Sequence, residues 1–303
     1  MTEFMMLVGL PASGKSTYAE SLKAKGYHIH SSDAIREELT GDENAQDKNT
    51  DVFATLHKRV KDDLSNGISC VYDATNMSMK RRKAFLNEIK RYNCRKTCVL
   101  FVIPVKVCKE RNSNRERRVP NEVFDKMLKS FWVPMKYEGW DEIKVESIDT
   151  TYPFNYESMK GFSQDNPHHH LDLLDHNINA EIYAYTHEYN SRVRCAAKYH
   201  DCGKLYTKTF IDSKGRETDI AHFYGHEHYG AYIFLVNSLC GCGEVSDGYK
   251  YNAIYIAGLI NWHMCPHTVW KQSDKAKKRD RRLIGEEMYQ DIMRLHEADL
   301  AAH

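Results

Sequence analysis

Two stretches of this sequence carry residue types, at spacings, that suit phosphate chemistry. The first is "GLPASGKST", which fits G-x-x-x-x-G-K-[ST] from Gly9 to Ser16. Glycines at Gly9 and Gly14 let backbone N–H groups approach phosphate oxygens, and a following helix adds positive potential at its amino terminus. Lys15 would reach the β- and γ-phosphates and Ser16 would hold Mg²⁺, with Ser13 and Thr17 completing the cradle. The implied ligand is ATP or another NTP with Mg²⁺. The second stretch is "KYHDCGKLY", residues 198–206. A His200-Asp201 pair followed by Gly203-Lys204 suggests metal-dependent phosphate hydrolysis.

A nucleotide site alone does not identify the acceptor. "SSDAIREEL" places Asp33 just past the second apolar segment, at the strand edge where ligands bind. A carboxylate there can accept a hydroxyl proton during phosphoryl transfer. Arg36, one helical turn on, could hold a phosphate of the acceptor; the alternative is an N-capping aspartate with a surface arginine. In "RNSNRERRVPNEV", Arg111, Arg115 and Arg118 recur at spacings of four and three, predicting one helical face. Three guanidiniums on one face call for an anionic partner such as a triphosphate. Asp73 ends the third strand, either as an orienting carboxylate near Mg²⁺ or a lid arginine, or as a buried structural residue.

Further potential ligands surround the His-Asp pair in sequence. His176 lies on a helix with an apolar face, His226 starts a helix, His263 ends one, and Asp299 sits near the carboxyl end. Neighbouring side chains diverge on a helix, so His200 and Asp201 can share a metal only near a helix end, and Gly203 is expected to supply flexibility there. Four histidines and two aspartates on five helices can converge at the centre of a bundle. Mixed imidazole and carboxylate donors suit a divalent transition metal such as Mn, Ni, Co, Zn or Fe. Such a metal lowers the pKa of bound water from 15.7 toward about 7.

The elements that must position these residues differ between the two halves. Three histidines precede residue 150 and thirteen follow residue 167, which suggests two chemistries. Before residue 150, "FMMLVG", "YHIHSS", "SCVYDAT", "KTCVLFVI" and "IKVESI" alternate with helical stretches, predicting a parallel sheet with crossover helices. After it, 3.6-residue periods dominate over about 170–188, 191–202, 226–240, 250–263 and 280–300, with one β-hairpin around Lys214-Gly215. The expected architecture is an α/β domain over 1–150, a linker over 151–166 and a mostly α-helical domain over 167–303.

The composition sets further bounds. The 303 residues suit two domains, and no apolar run approaches membrane-spanning length. "MTEFMMLVGLP" reads as a buried strand rather than a targeting segment, so no membrane partner and a cytoplasmic location are expected. Nine scattered cysteines suit a reducing compartment. The net charge of +1 makes no global case for nucleic acid, but residues 106–129 carry eight Lys/Arg against four acids, and 271–282 carry seven against two. The second run reads as a solvated face. His168 and His169 are expected at a helix start, facing solvent or supporting the ligands from behind, and His267, His296 and His303 have no assigned role.

The first set of motifs resembles the P-loop kinase domain of the polynucleotide 5′-kinase family over about residues 1–150. The matching residues are Gly9–Ser16, Asp33-x-x-Arg36, "YDATN" at 72–76 and "RRVPNEV". That resemblance implies Asp33 as general base on a 5′-hydroxyl, Arg36 on the neighbouring phosphate, and Arg115 with Arg118 clamping the donor. The order H…HD…H…H…D resembles the HD phosphohydrolase superfamily over about 165–303. "NPHHHLDLLDHNINA", "HDCGK" and "GHEHYGA" are most similar to the HD domains attached to tRNA nucleotidyltransferases. It implies His176, His200, Asp201 and Asp299 as ligands of one metal, His226 and His263 for a second metal or a substrate phosphate, and Lys204 contacting substrate phosphate. Together the resemblances imply healing of nucleic-acid ends, RNA favoured, with a 5′-kinase and a phosphoesterase acting on 2′,3′-cyclic phosphate or 2′-phosphate ends ahead of an RNA ligase. A small-molecule or nucleoside kinase fused to a nucleotide phosphohydrolase, and a nucleotide-sensing HD regulator, are the alternatives.

Overall fold

The computed structural model describes residues 1–42, 45, 48–167, 170–243 and 245–302. His168, His169 and His303 lie outside the described residues. The chain forms two units: residues 1–124 with 134–148, and residues 125–133 with 149–303. Residues 125–133, expected in the first domain, therefore pack with the second.

In the first unit, β1 (Glu3–Val8), β2 (His28–Ser31), β3 (Cys70–Asp73), β4 (Arg95–Val102) and β5 (Glu142–Ser147) form one sheet of order β2-β3-β1-β4-β5. Every pairing is parallel. Central β1 is buried on both faces from Phe4 to Val8, which is why it reads as a continuous apolar run rather than an alternation. Crossovers are made by α1 (Lys15–Lys23), α2 (Ser32–Thr40), α3 (Asn49–Ser65), α4 (Met79–Ile89) and α5 (Val105–Ser113), followed by α6 (Asn121–Leu128), whose residues 125–128 belong to the second unit. The return segment before β5 is anchored by a fully buried ion pair. Arg82 donates to both carboxylate oxygens of Glu138 at 2.8 and 2.7 Å, and also to the carbonyls of Asn76 and Met77.

The second unit is helical: α7 (Leu173–Thr186), α8 (Ser191–Tyr199), α9 (Lys204–Thr207), α10 (His226–Leu239), α11 (Asp247–Trp262), α12 (Val269–Gln272), α13 (Asp274–Ile284) and α14 (Glu286–Ala301). The predicted hairpin is present as β6 (Thr209–Ile211) with β7 (Glu217–His222). Two expectations need correction. The helix predicted over 280–300 is two helices, because Gly285, at φ 84° and ψ 165°, breaks the backbone between α13 and α14. The expected linker 151–166 is packed: Met159 is buried against Leu173, Leu174 and Cys202, with Phe154, Tyr156 and Phe162 around it. Its irregular, Pro- and Gly-containing sequence signals loop backbone, but the aromatic residues give it a core to join. All nine cysteines are free thiols. No described helix is long and apolar enough to cross a membrane.

Candidate active sites

The first site forms where β1, β2 and β3 end. Between β1 and α1, Ala12 and Gly14 take positive φ (58° and 99°), curling the loop into a concavity of backbone N–H groups. Gly9 is required for close approach: a Cβ there would lie 2.8 Å from the Phe101 Cβ. Lys15 is buried inside the loop and donates to the Leu10 carbonyl at 2.6 Å. Burial pulls its ammonium down to about 8, against the pull of Asp73. Ser16 donates to Asp73 at 2.9 Å, so the two oxygen donors suited to Mg²⁺ lie side by side. Burial raises the Asp73 carboxyl, with Lys15 and Ser16 opposing. The exposed Thr17 follows Ser16 on α1.

Asp33 is not a helix cap; the Ser31 hydroxyl caps α2 by accepting from the Ala34 N–H. Asp33 instead stands half-exposed between two guanidiniums, Arg36 at 2.8 Å and Arg117 at 2.9 Å. Arg36 is itself buried and also donates to Asn49 at 2.9 Å. The predicted shared face of Arg111, Arg115 and Arg118 is not formed. α5 ends at Ser113, because the Asn112 side chain bonds the Val119 backbone through both its N–H and its carbonyl, diverting the chain into a loop. Arg111 closes α5, whereas Arg115 and Arg118 lie on the loop, with Arg118 donating to the Arg115 carbonyl. Arg115 is near enough to Lys15 and Asp73 to bear on both electrostatically. Arg117, which a helical-face argument discards, is the loop arginine that reaches Asp33.

The second site lies within the helical unit. His176 of α7, His200 at the end of α8 and Asp299 of α14 form one buried triad; Asp201, His226 of α10 and His263 at the end of α11 form another. Within each triad the donor atoms all lie within 4.8 Å of one another. Asp201 belongs to both clusters. Its Oδ2 is 3.4 Å from His176 Nε2 and 3.5 Å from His200 Nε2, while its Oδ1 is 3.1 Å from His226 Nε2 and 3.7 Å from His263 Nε2.

The imidazole tautomers test whether a metal fits. Nδ1 of His200, His226 and His263 lies 2.8, 2.8 and 2.7 Å from the carbonyls of Ala197, Phe223 and Ile260. A carbonyl only accepts, so each Nδ1 carries the proton and each Nε2 presents a lone pair to the site. Yet Nε2 of His226 and Nε2 of His263 face each other at 3.2 Å. Two lone pairs at that distance repel unless a cation, a proton or a metal ion, lies between them. Burial alone would lower the His226 imidazole, but the Asp201 carboxylate beside it raises it, whereas burial pushes His263 down to about 4. Mixed imidazole and carboxylate donors in a dry pocket suit a transition metal.

Two expectations about this site change. Gly203 has ordinary helical angles, φ −67° and ψ −18°, so flexibility is not its role. A Cβ there would fall 2.0 Å from the His226 carbonyl, so glycine is what lets the His-Asp segment pass against α10. Lys204, expected to face a substrate phosphate, is buried and lies 2.6 Å from Asp201 Oδ2 and 2.8 Å from Gln164 Oε1. Burial alone would raise the Asp201 carboxyl, but Lys204 and the histidines hold it well below the usual carboxylate range. Sequence reasoning missed Gln164 and also His267, which lies 2.8 Å from Asp299 Oδ2 and 3.0 Å from His296. No motif marks either, because each reaches the site from a loop.

Residues 4–134 match the family model described as "AAA domain", and with the loop geometry they define a kinase-like P-loop domain. Over 166 residues the chain is 26% identical to L-seryl-tRNA(Sec) kinase of Methanococcus maripaludis, covering 51% of this chain and 62% of that protein. The chain thus spans under two thirds of that relative. Among solved structures, a putative kinase from Chloroflexus aurantiacus is 15% identical with a TM-score of 0.41, covering 48% of this chain and 86% of that one. A gluconokinase from Sinorhizobium meliloti is 18% identical with a TM-score of 0.35, covering 47% and 81%.

Proposed function

We propose that this protein is a bifunctional enzyme that heals nucleic-acid ends, RNA in particular. It joins an ATP-dependent 5′-hydroxyl kinase to a metal-dependent phosphoesterase for 2′,3′-cyclic phosphate or 2′-phosphate ends. The observation that carries the reading is the coexistence of two built sites. One unit pairs a phosphate loop with the arginine-flanked Asp33; the other holds two His/Asp triads bridged by Asp201. Joint possession of a phosphate-adding and a phosphate-removing site makes sense where the two act on opposite ends of one broken strand.

In the kinase unit, ATP with Mg²⁺ supplies the phosphoryl group. Lys15 balances phosphate charge, and Ser16 and Asp73 offer oxygen to the ion. Asp33 accepts the proton of the acceptor hydroxyl, with Arg36 and Arg117 fixing which oxygen faces it. Arg115, Arg118 and Arg111 add positive charge on the donor side. In the helical unit, His176, His200, Asp299 and Asp201 would hold one divalent ion, and Asp201, His226 and His263 a second. When bound, such ions supply Lewis acidity toward a phosphoester and a lowered pKa for water. Lys204 and Gln164 orient Asp201, and His267 orients Asp299.

A second reading has one supporting observation. The curated relative is named for a kinase of an aminoacylated tRNA, which favours an acceptor hydroxyl carried on RNA but not at a 5′ end. The test offers an RNA bearing 5′-hydroxyl and 2′,3′-cyclic phosphate ends, ATP, Mg²⁺ and Mn²⁺, and resolves both ends. Failure of purified protein to transfer label to the 5′-hydroxyl sinks the kinase half. Loss of both reactions in either Asp33→Ala or Asp201→Ala alone sinks the two-site scheme.

A further inference from the structure

The basic run 271–282 takes no part in either site, and pairing sorts its cations into two groups. Arg281 is held by Glu286 through two 2.7 Å hydrogen bonds, and Arg279 by Asp280 at 2.8 Å. Lys277 lies over the Tyr289 ring at 5.9 Å. Asp280 is buried, accepting from the Trp270 indole at 3.0 Å as well as pairing with Arg279. What remains is Lys271, on α12, and Lys275, Lys278 and Arg282, all exposed, the last three at i, i+3 and i+7 of α13. Among the described residues no acid stands within ion-pair distance of these three.

That arrangement is a stripe of like charge on one helical face, each neighbouring pair costing a few tenths of a kcal/mol. A face that serves only solubility interleaves both signs. Here Asp280 and Glu286 are taken by Arg279 and Arg281, the exposed Asp274 sits at the amino-terminal end of the stripe, and the three unpaired cations fall in register after it. Lys278 and Arg282 also line an open concavity with Gly285 and the paired Arg281 and Glu286. From Glu286 to Asp299, α14 rises about 20 Å, about the length of six stacked nucleotides.

We propose that the Lys275–Lys278–Arg282 face binds the sugar–phosphate backbone of the RNA whose end enters the His/Asp site. The inference rests on the RNA reading above. Phosphate contacts of this kind position a strand without reading its sequence. Neutralising three phosphates of a single strand contributes about 0.7 each to the slope of log K against log salt, about 2 in all. At 0.15 M salt, with binding at 1 M unchanged, loss of that slope weakens binding about 50-fold.

The experiment measures fluorescence anisotropy of the full chain with a 5′-hydroxyl RNA 20-mer (a length of about this order suffices) between 0.05 and roughly 0.3 M salt. Lys275→Gln/Lys278→Gln/Arg282→Gln should bind about 50-fold more weakly at 0.15 M salt, with a slope smaller by about 2. A control triple of exposed lysines, Lys25→Gln/Lys58→Gln/Lys90→Gln, should match wild type, and circular dichroism melting checks that both variants fold. Wild-type slope in the α13 triple, with wild-type protein binding RNA, overturns the stripe and leaves the RNA reading standing. Absence of RNA binding by wild-type protein overturns both. RNA binding unchanged while binding to phosphatidylserine vesicles falls assigns the face to membrane and overturns the proposal.

Discussion

Gly203→Ala is the sharpest perturbation of the helical unit, because it adds one methyl group and removes no ligand. The new Cβ would stand 2.0 Å from the His226 carbonyl oxygen and 2.7 Å from the Gly230 nitrogen, both backbone atoms that cannot rotate away. Restoring an ordinary contact of about 3.4 Å requires a separation of about 1.4 Å between the His-Asp segment and α10. Asp201 rides on the first and His226 on the second, and their oxygen and nitrogen now lie 3.1 Å apart. A displacement near 1 Å costs about 10²-fold in a positioned reaction, and overpacking costs about 1–3 kcal/mol of stability. Metal-dependent hydrolysis of a chromogenic phosphodiester should therefore fall at least about 100-fold, with the kinase reaction of the same preparation as internal control. Gly230→Ala is the companion variant: its Cβ would meet the Gly203 nitrogen at 3.2 Å and the Cys202 sulfur at 3.4 Å, so its effect should be small. Wild-type hydrolysis in Gly203→Ala, with the variant folded, would refute the close-approach account of this glycine.

Three more outcomes follow from the same geometry. Metal content measured by mass spectrometry should fall toward zero in Asp201→Asn and by about half in Asp299→Asn, since only Asp201 faces both imidazole pairs; equal losses in the two variants contradict the bridging role. The Lys15 ammonium, pulled down by burial to about 8, loses its proton in the folded protein before it would in the unfolded chain. Between that pH and the ordinary value near 10.4, its contribution to stability rises with pH, whereas ATP affinity, which needs the ammonium, should weaken about tenfold per pH unit; a flat Kd from about pH 8 to 9.5 rules this out. Arg82→Met leaves the Glu138 carboxylate buried without its partner and should cost about 3–5 kcal/mol in urea unfolding of the first unit, and an effect under about 1 kcal/mol would show that water reaches the pair.

The sequence by itself determined those features whose physics is local. The phosphate loop is one such feature, since its glycines, lysine and serine act within eight residues of backbone. The strand–helix alternation of the first unit is another, because periodicity reflects which faces are buried. The imidazoles and carboxylates were legible as ligand types, and their expected grouping came from resemblance. Other features depend on what the chain meets at a distance. Asn112 bonds the Val119 backbone and ends α5, so the loop arginine beside Asp33 is Arg117 and not a member of the predicted stripe. Residues 125–133 join the helical unit because the Asn261 side chain accepts from the Val133 N–H and donates to the Phe131 carbonyl, partners 128 and 130 residues away. Lys204 turns inward to Asp201 and Gln164 because a buried carboxylate needs a nearby cation. Gly203 looked in sequence like a hinge, and only the packing of α10 against it shows that the site needs its missing side chain. Composition and spacing record what a residue can do; burial and long-range partners decide which of those possibilities the folded chain leaves open.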